Sequence, residues 1–134
     1  MPTFHDTTPK SCPPADAKPR SVVLHRLVKN NPPVPKDFVI WSQDPTNKHR
    51  AKKMLKQNPN DCKVFALSMY VEEGLERWQK RFPRAMKHFA GWAEVHVDLD
   101  SGEVKQTSKD QSHYSLWPYT ECDLHDKVNH VKGL

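Results

Sequence analysis

The chain has 134 residues, a formal net charge of +5 and 36% hydrophobic residues, with only 4 glycines against 12 prolines. That length predicts one domain, because two half-size cores would bury too little apolar surface to hold together. No run reaches the roughly 18 apolar residues of a membrane span, and MPTFHDTTPK lacks the apolar centre of a secretion signal, so a cytoplasmic protein with no membrane partner is expected.

In chain order, residues 1–20 carry Pro2, Pro9, Pro13, Pro14 and Pro19. Five prolines deny this segment a regular helix or a central strand, and it reads as an arm, either extended across the surface or disordered, on a domain spanning 21–134. Ser21 to Val28, SVVLHRLV, is the first strand. Alternation sets Val23, His25 and Leu27 on one face and Val22, Leu24, Arg26 and Val28 on the other. Pro32, Pro33 and Pro35 end it. A helix is predicted within Asp44–Asn58, capped by Thr46 or Asn47, with Ala51, Met54 and Leu55 as a narrow apolar stripe.

The stretch from Asp61 to Leu99 holds much of the apolar material and organises the rest. Lys63–Met69 reads as a second strand. Val71–Phe82 reads as a helix whose Val71, Leu75, Trp78 and Phe82 form one buried stripe. Glu72 and Glu73 in its first turn and Lys80 and Arg81 in its last suit the helix dipole. Gly74 costs that helix about 1 kcal/mol against alanine, for no reason visible in the sequence. Pro83 starts a further turn through Phe89, and Ala90–Leu99 is a third strand. Asp100-Ser101-Gly102 predicts a tight hairpin into a returning strand Glu103–Thr107. SHYSLWPY predicts an edge strand stopped by Pro118. Leu124, Val128 and Val131 in the tail Glu121–Leu134 are spaced as in a short helix. The expected fold is a single α+β domain: a mostly antiparallel, twisted sheet with two or three helices and the proline-rich arm.

Several residues invite a chemical reading. Arg26 sits mid-strand among apolar neighbours; its five fixed donors suit a diphosphate or carboxylate, or a structural ion pair with Glu94 or Asp98. Ser68 and Tyr70 lie at a strand-to-helix junction, where helix amides face outward; Ser68 could equally cap the following helix. His113 can act as acid or base near neutral pH, with Asp98 or Asp110 as partner carboxylates, and Trp117 can stack on a ring or close the core. Lys48, Arg50, Lys52, Lys53 and Lys56 crowd one helix, and no acid occurs from Pro45 to Asn60, so phosphates can be met there. A solvated charged face is the plainer reading of that run.

The three cysteines, Cys12, Cys62 and Cys122, are widely spaced and odd in number, and free thiols are expected. Cys122, His125 and His130 only loosely match zinc-ligand spacing, so no metal site is assigned. Four glycines cannot build the glycine-rich phosphate loops.

The segments PPADAKPRSVVLHRLVKNNPPVPKDF, DCKVFALSMYVEEGLERW and SHYSLWP together resemble an uncharacterised family of small bacterial proteins, from Pro13 to about Pro118. That resemblance implies recurring positions at Pro13-Pro14, Arg26, Ser68, His113 and Trp117 and carries no activity. The order of an arginine-bearing strand, a serine-ended strand with a helix, and a hydrophobic strand is also similar to the ADP-ribosyltransferase-like fold. This second resemblance implies a nucleotide or NAD-type ligand, with Arg26 on phosphate, Ser68 and Tyr70 lining the pocket and His113 near the reacting ribose. The sequence offers no match for that family's late catalytic glutamate, so whether the protein is an enzyme, and with what cofactor, stays open. The alternative is a non-enzymatic module in which the basic helix engages nucleic acid or an acidic protein.

Overall fold

Val22–Val28 (β1), rich in β-branched residues, buries Leu24 and Val28 and meets partners on both sides. It pairs over its whole length with Gly91–Val97 (β3), from Val22 opposite Val97 to Val28 opposite Gly91. On its other side it meets Leu67–Tyr70 (β2) through one pair, His25 opposite Tyr70. Gly102–Gln106 (β4), His113–Pro118 (β5) and Val128–Gly133 (β6) complete one sheet of order β4-β5-β2-β1-β3-β6. Every pairing is antiparallel. This computed structural model describes residues 2–109 and 111–133, and they form the single α+β domain expected.

One face of the sheet supplies the main core. Leu24 and Val28 of β1, Leu67 and Met69 of β2, Val95 and Val97 of β3, Val104 of β4 and Leu116 of β5 are all nearly inaccessible and share one cluster. Burying each such side chain contributes about 1.5–3 kcal/mol. Ile40 and Leu124, from the connecting segments, join the same cluster. The arm also takes part. Lys18 N–H donates to the Val104 carbonyl at 3.1 Å and Val104 N–H donates to the Lys18 carbonyl at 2.9 Å, so residue 18 is bridged to β4. The circuit β1–β2–β5–β4 therefore returns to the segment that precedes β1, and the inner face is enclosed.

The helices lie outside this circuit. Lys48–Gln57 (α1) buries Ala51 in a second cluster with Ala17, Val64, Phe65 and Trp117. Glu72–Arg81 (α2) and Pro83–Met86 (α3) follow β2. On α2 only Leu75 and Gly74 are fully buried. Val71 and Trp78 are half-buried and Phe82 is 43% exposed, so the expected four-residue stripe is core at one position only. Gly74 now has a reason: a β-carbon there would sit 2.7 Å from Ser112 Cβ and 3.1 Å from its carbonyl oxygen.

Five expectations are corrected. Cys62–Phe65 is a 3₁₀ turn and not part of a strand, held at its start by the Asp61 side chain accepting from Lys63 N–H at 3.3 Å, and it buries Val64 and Phe65 in the second cluster. Asp100-Ser101-Gly102 does not close a hairpin, because β3 and β4 are not neighbours in the sheet. β5 is not an edge; it lies between β4 and β2. The described part of the tail is a 3₁₀ turn, Leu124–Lys127, followed by strand β6. Finally, Cys12 and Cys62 form a disulfide, with Cα atoms 5.3 Å apart and 50 positions separating them; only Cys122 is free. The arm folds back onto the 3₁₀ turn, which cysteine spacing alone does not reveal.

Candidate functional site

Arg26 points to the inner face with Leu24 and Val28, and its side chain is spent on main-chain oxygens. Nε donates to the Asp37 carbonyl at 2.7 Å and Nη1 to the Ser68 carbonyl at 2.9 Å. The β1–β2 ladder consists of the His25–Tyr70 pair alone, so the guanidinium meets a carbonyl the ladder leaves behind. Burial lowers the arginine pKa to about 10, while Asp44 and Asp37 favour the charge, so it stays cationic at neutral pH. The Asp37 carboxylate orders the following loop, accepting from Lys29 N–H at 3.0 Å and Val34 N–H at 2.9 Å. Neither Glu94 nor Asp98 pairs with Arg26: Asp98 binds Lys127 at 2.8 Å, and Glu94 lies near His96 at 3.4 Å.

His113 and Tyr70 face the other way. Cross-strand partners share a face, and the register runs His113–Tyr70, Tyr70–His25, His25–Glu94 and Glu94–His130. Five strands thus line up a polar row on the outer surface. Tyr70 and His113 rings meet edge to face at 5.0 Å, and burial raises the Tyr70 pKa. His113 Nδ1 is 2.6 Å from Thr107 Oγ1, itself 3.2 Å from Ser115 Oγ. That chain orients the imidazole against two hydroxyls. Asp110, named as a partner carboxylate, lies outside the described residues. Ser68 is exposed and does not cap α2, whose N-cap is Val71 with no side-chain hydrogen bond. Arg26 and His113 therefore start from opposite faces of the sheet; Tyr70 shares the outer face with His113, yet its hydroxyl is close enough to Arg26 for that charge to oppose the rise in its pKa.

Trp117 is 1% exposed, and its Nε1 donates to the Cys62 carbonyl at 2.8 Å, so the ring closes the second core. Cys122, His125 and His130 do not converge: Cys122 packs against the inner core while His130 is exposed on the outer row. Among the described residues, Asp123, His125 and Asp126 do hold ligand atoms within 4.8 Å of one another, but His125 Nε2 already meets the Pro33 carbonyl at 2.8 Å.

The basic helix is the most pronounced electrostatic feature. Lys48, Arg50, Lys52, Lys53 and Lys56 are all exposed, and none forms an ion pair among the described residues. Like charges three and four apart, such as Lys48–Lys52, Arg50–Lys53 and Lys52–Lys56, each cost an isolated helix about 0.2–0.5 kcal/mol. Only Arg50 finds an internal partner, lying 6.0 Å over the Trp41 ring. At the C-terminal end of α1, Asn58 lines a cleft of about 530 Å³ shared with Lys63, Lys105, Thr107 and Lys109. Lys105 is paired with Asp16 at 3.0 Å. Lys63 is far in sequence from Lys105 and Lys109, so no run marks the three together.

Set against known protein families, characterised proteins and solved structures, the chain matches none. Among the described residues, no helix is long and apolar enough to cross a membrane. Fold and charge together define a small α+β protein with an enclosed antiparallel sheet and a cationic helix on its outside.

Proposed function

We propose that the protein is a non-enzymatic nucleic-acid-binding module whose contact surface is α1 and the cleft at its end. The observation that carries this reading is the set of five exposed cations on α1 with no ion pair among the described residues. A fold that tolerates this repulsion, with no acid from Pro45 to Asn60, keeps its charge available for an external polyanion. Lys63 and Lys109 extend the charge past Asn58. The NAD-type reading needs Arg26 and His113 in one pocket; their opposite faces give it no support. Salt-dependent binding of DNA or RNA tests the proposal. Wild-type protein should bind in low salt, and replacing Lys52 and Lys53 by glutamate should weaken binding and flatten the salt slope by about 1.4–1.8, the two phosphate contacts removed. Thermal stabilisation by NAD, with none by nucleic acid, would overturn it.

A further inference from the structure

A second cationic surface, independent of α1, starts at the C-terminal end of α2, past its exposed Glu72, Glu73 and Glu76, and continues through α3. From Arg77 to Ala93 the chain has five arginines and lysines and no acid. Lys80, Arg81, Arg84 and Lys87 are exposed and make no ion pair among the described residues. Unlike α1, where Arg50 covers the half-buried Trp41, this surface carries an exposed aromatic ring. Phe82, 43% exposed, lies with its ring centroid 5.3 Å from that of half-buried Trp78. The Arg81 guanidinium sits 5.3 Å over the Phe82 ring.

The pairing of these features is what needs a cause. A phenylalanine left 43% exposed forgoes part of the stabilisation that full burial would bring. Four exposed cations within five positions of it, with no ion pair among the described residues, make the patch a poor seat for an apolar or basic partner. They make it a good one for a ligand that is planar and anionic at once. A ring face that holds a guanidinium also holds a nucleobase, and every base has such a face.

We propose that Phe82, backed by Trp78, is a stacking platform for single-stranded nucleic acid, with Lys80, Arg81, Arg84 and Lys87 meeting the flanking phosphates. A duplex keeps its bases stacked internally and cannot use the ring, so this surface selects the single strand. The inference deepens the nucleic-acid reading by naming the strand state of the ligand, and its test separates the two.

Binding is measured by fluorescence anisotropy at low salt for an oligothymidine of about 15 nucleotides, near the upper site size of single-strand binders, and for a duplex of equal length. Wild-type protein should prefer the single strand. Phe82→Ala should weaken single-strand binding about tenfold, within the range for loss of one stacked base, and leave duplex binding unchanged. Arg84→Glu with Lys87→Glu, both at exposed positions, should lower single-strand affinity and its salt dependence. Lys52→Glu with Lys53→Glu should weaken both ligands. Equal single-strand binding by wild type and Phe82→Ala, with the α1 variant still impaired, would overturn the platform and leave the α1 reading intact. No binding of either oligonucleotide, or binding of anionic lipid vesicles alone, would sink both. Circular dichroism and melting of each variant establish that it is folded.

Discussion

Arg26 and Ser68 are joined side chain to main chain, the guanidinium Nη1 donating to the serine carbonyl at 2.9 Å across the gap where β1 leaves β2. A residue that looked like a ligand-holder from its place on an apolar face is thus a brace between two strands and the Pro35–Phe38 turn. Arg26→Met keeps the aliphatic stem and strands two acceptors, the carbonyls of Asp37 and Ser68. It should destabilise the fold by about 2 kcal/mol, because the Ser68 carbonyl is within reach of water and recovers part of its loss. Urea denaturation with an unchanged m-value checks this. A neutral result would mean that the two hydrogen bonds contribute nothing net.

Gly74 makes a prediction of uncommon sign. In a helix interior, alanine is ordinarily favoured over glycine by about 1 kcal/mol. Here the added carbon would meet Ser112 Cβ at 2.7 Å and its carbonyl oxygen at 3.1 Å. Overpacking of this kind costs about 1–3 kcal/mol, so Gly74→Ala should be net destabilising by about 1 kcal/mol. A rise in melting temperature would show that the 108–112 loop yields freely.

The Cys12–Cys62 disulfide closes a loop with a sequence separation of 50. The chain-entropy relation for that loop length gives about 4 kcal/mol. Cys12→Ser with Cys62→Ser should therefore lower stability by about 3–4 kcal/mol, and a reducing agent should do the same to the wild-type protein and nothing to the double variant. Equal denaturation midpoints with and without reductant would refute the contribution. The bond replaces the free thiols expected at Cys12 and Cys62, and such bonds persist where conditions are oxidising.

His25 sets a pH dependence. Burial lowers its pKa below 6.5, with Glu72 and Glu94 acting in opposition; Glu73, His130 and Lys132 line the same groove. The folded state therefore prefers the neutral ring, and between the lowered pKa and 6.5 the unfolded chain binds more protons. Stability from this group is complete above pH 6.5 and falls on acidification through that window. His25→Gln should flatten the slope of stability against pH below 6.5. An unchanged slope would assign the acid sensitivity elsewhere.

What the sequence made legible, and what it hid, follow from the range of the forces involved. The helices α1 and α2 and strands β1 and β3 rest on local periodicity, and each appears within about two residues of its expected bounds. The tail failed for a specific reason. A bulge at Asn129 lets Val128 pair with Val95 and Val131 with Ala93, so two inward side chains stand three apart, as they would on a helix. The turn after β3 suited a hairpin locally, yet strand neighbours are chosen by the whole sheet. The site fared similarly. The five cations of α1 are contiguous and were visible as a run, whereas Lys63, Lys105 and Lys109 meet only through folding. Arg26 and His113 share one pocket only by the fold resemblance: alternation gives a residue's face within its own strand, while the face it shares with a distant strand depends on register.

The Lys18–Val104 bridge bears on how the protein behaves among its own copies. β4 is a terminal strand of the six, and its outward N–H and C=O groups would recruit any extended chain of similar shape. Residue 18 occupies that position from within the molecule, and the prolines around it prevent the covering segment from propagating the ladder further. A chain shortened by its first 20 residues would keep the helices and five of the six strand neighbours of its core. It would also lose the Cys12–Cys62 bond and Ala17 of the second core, and present a bare β4 margin to the next molecule, so loss of solubility at high concentration should accompany the loss of stability.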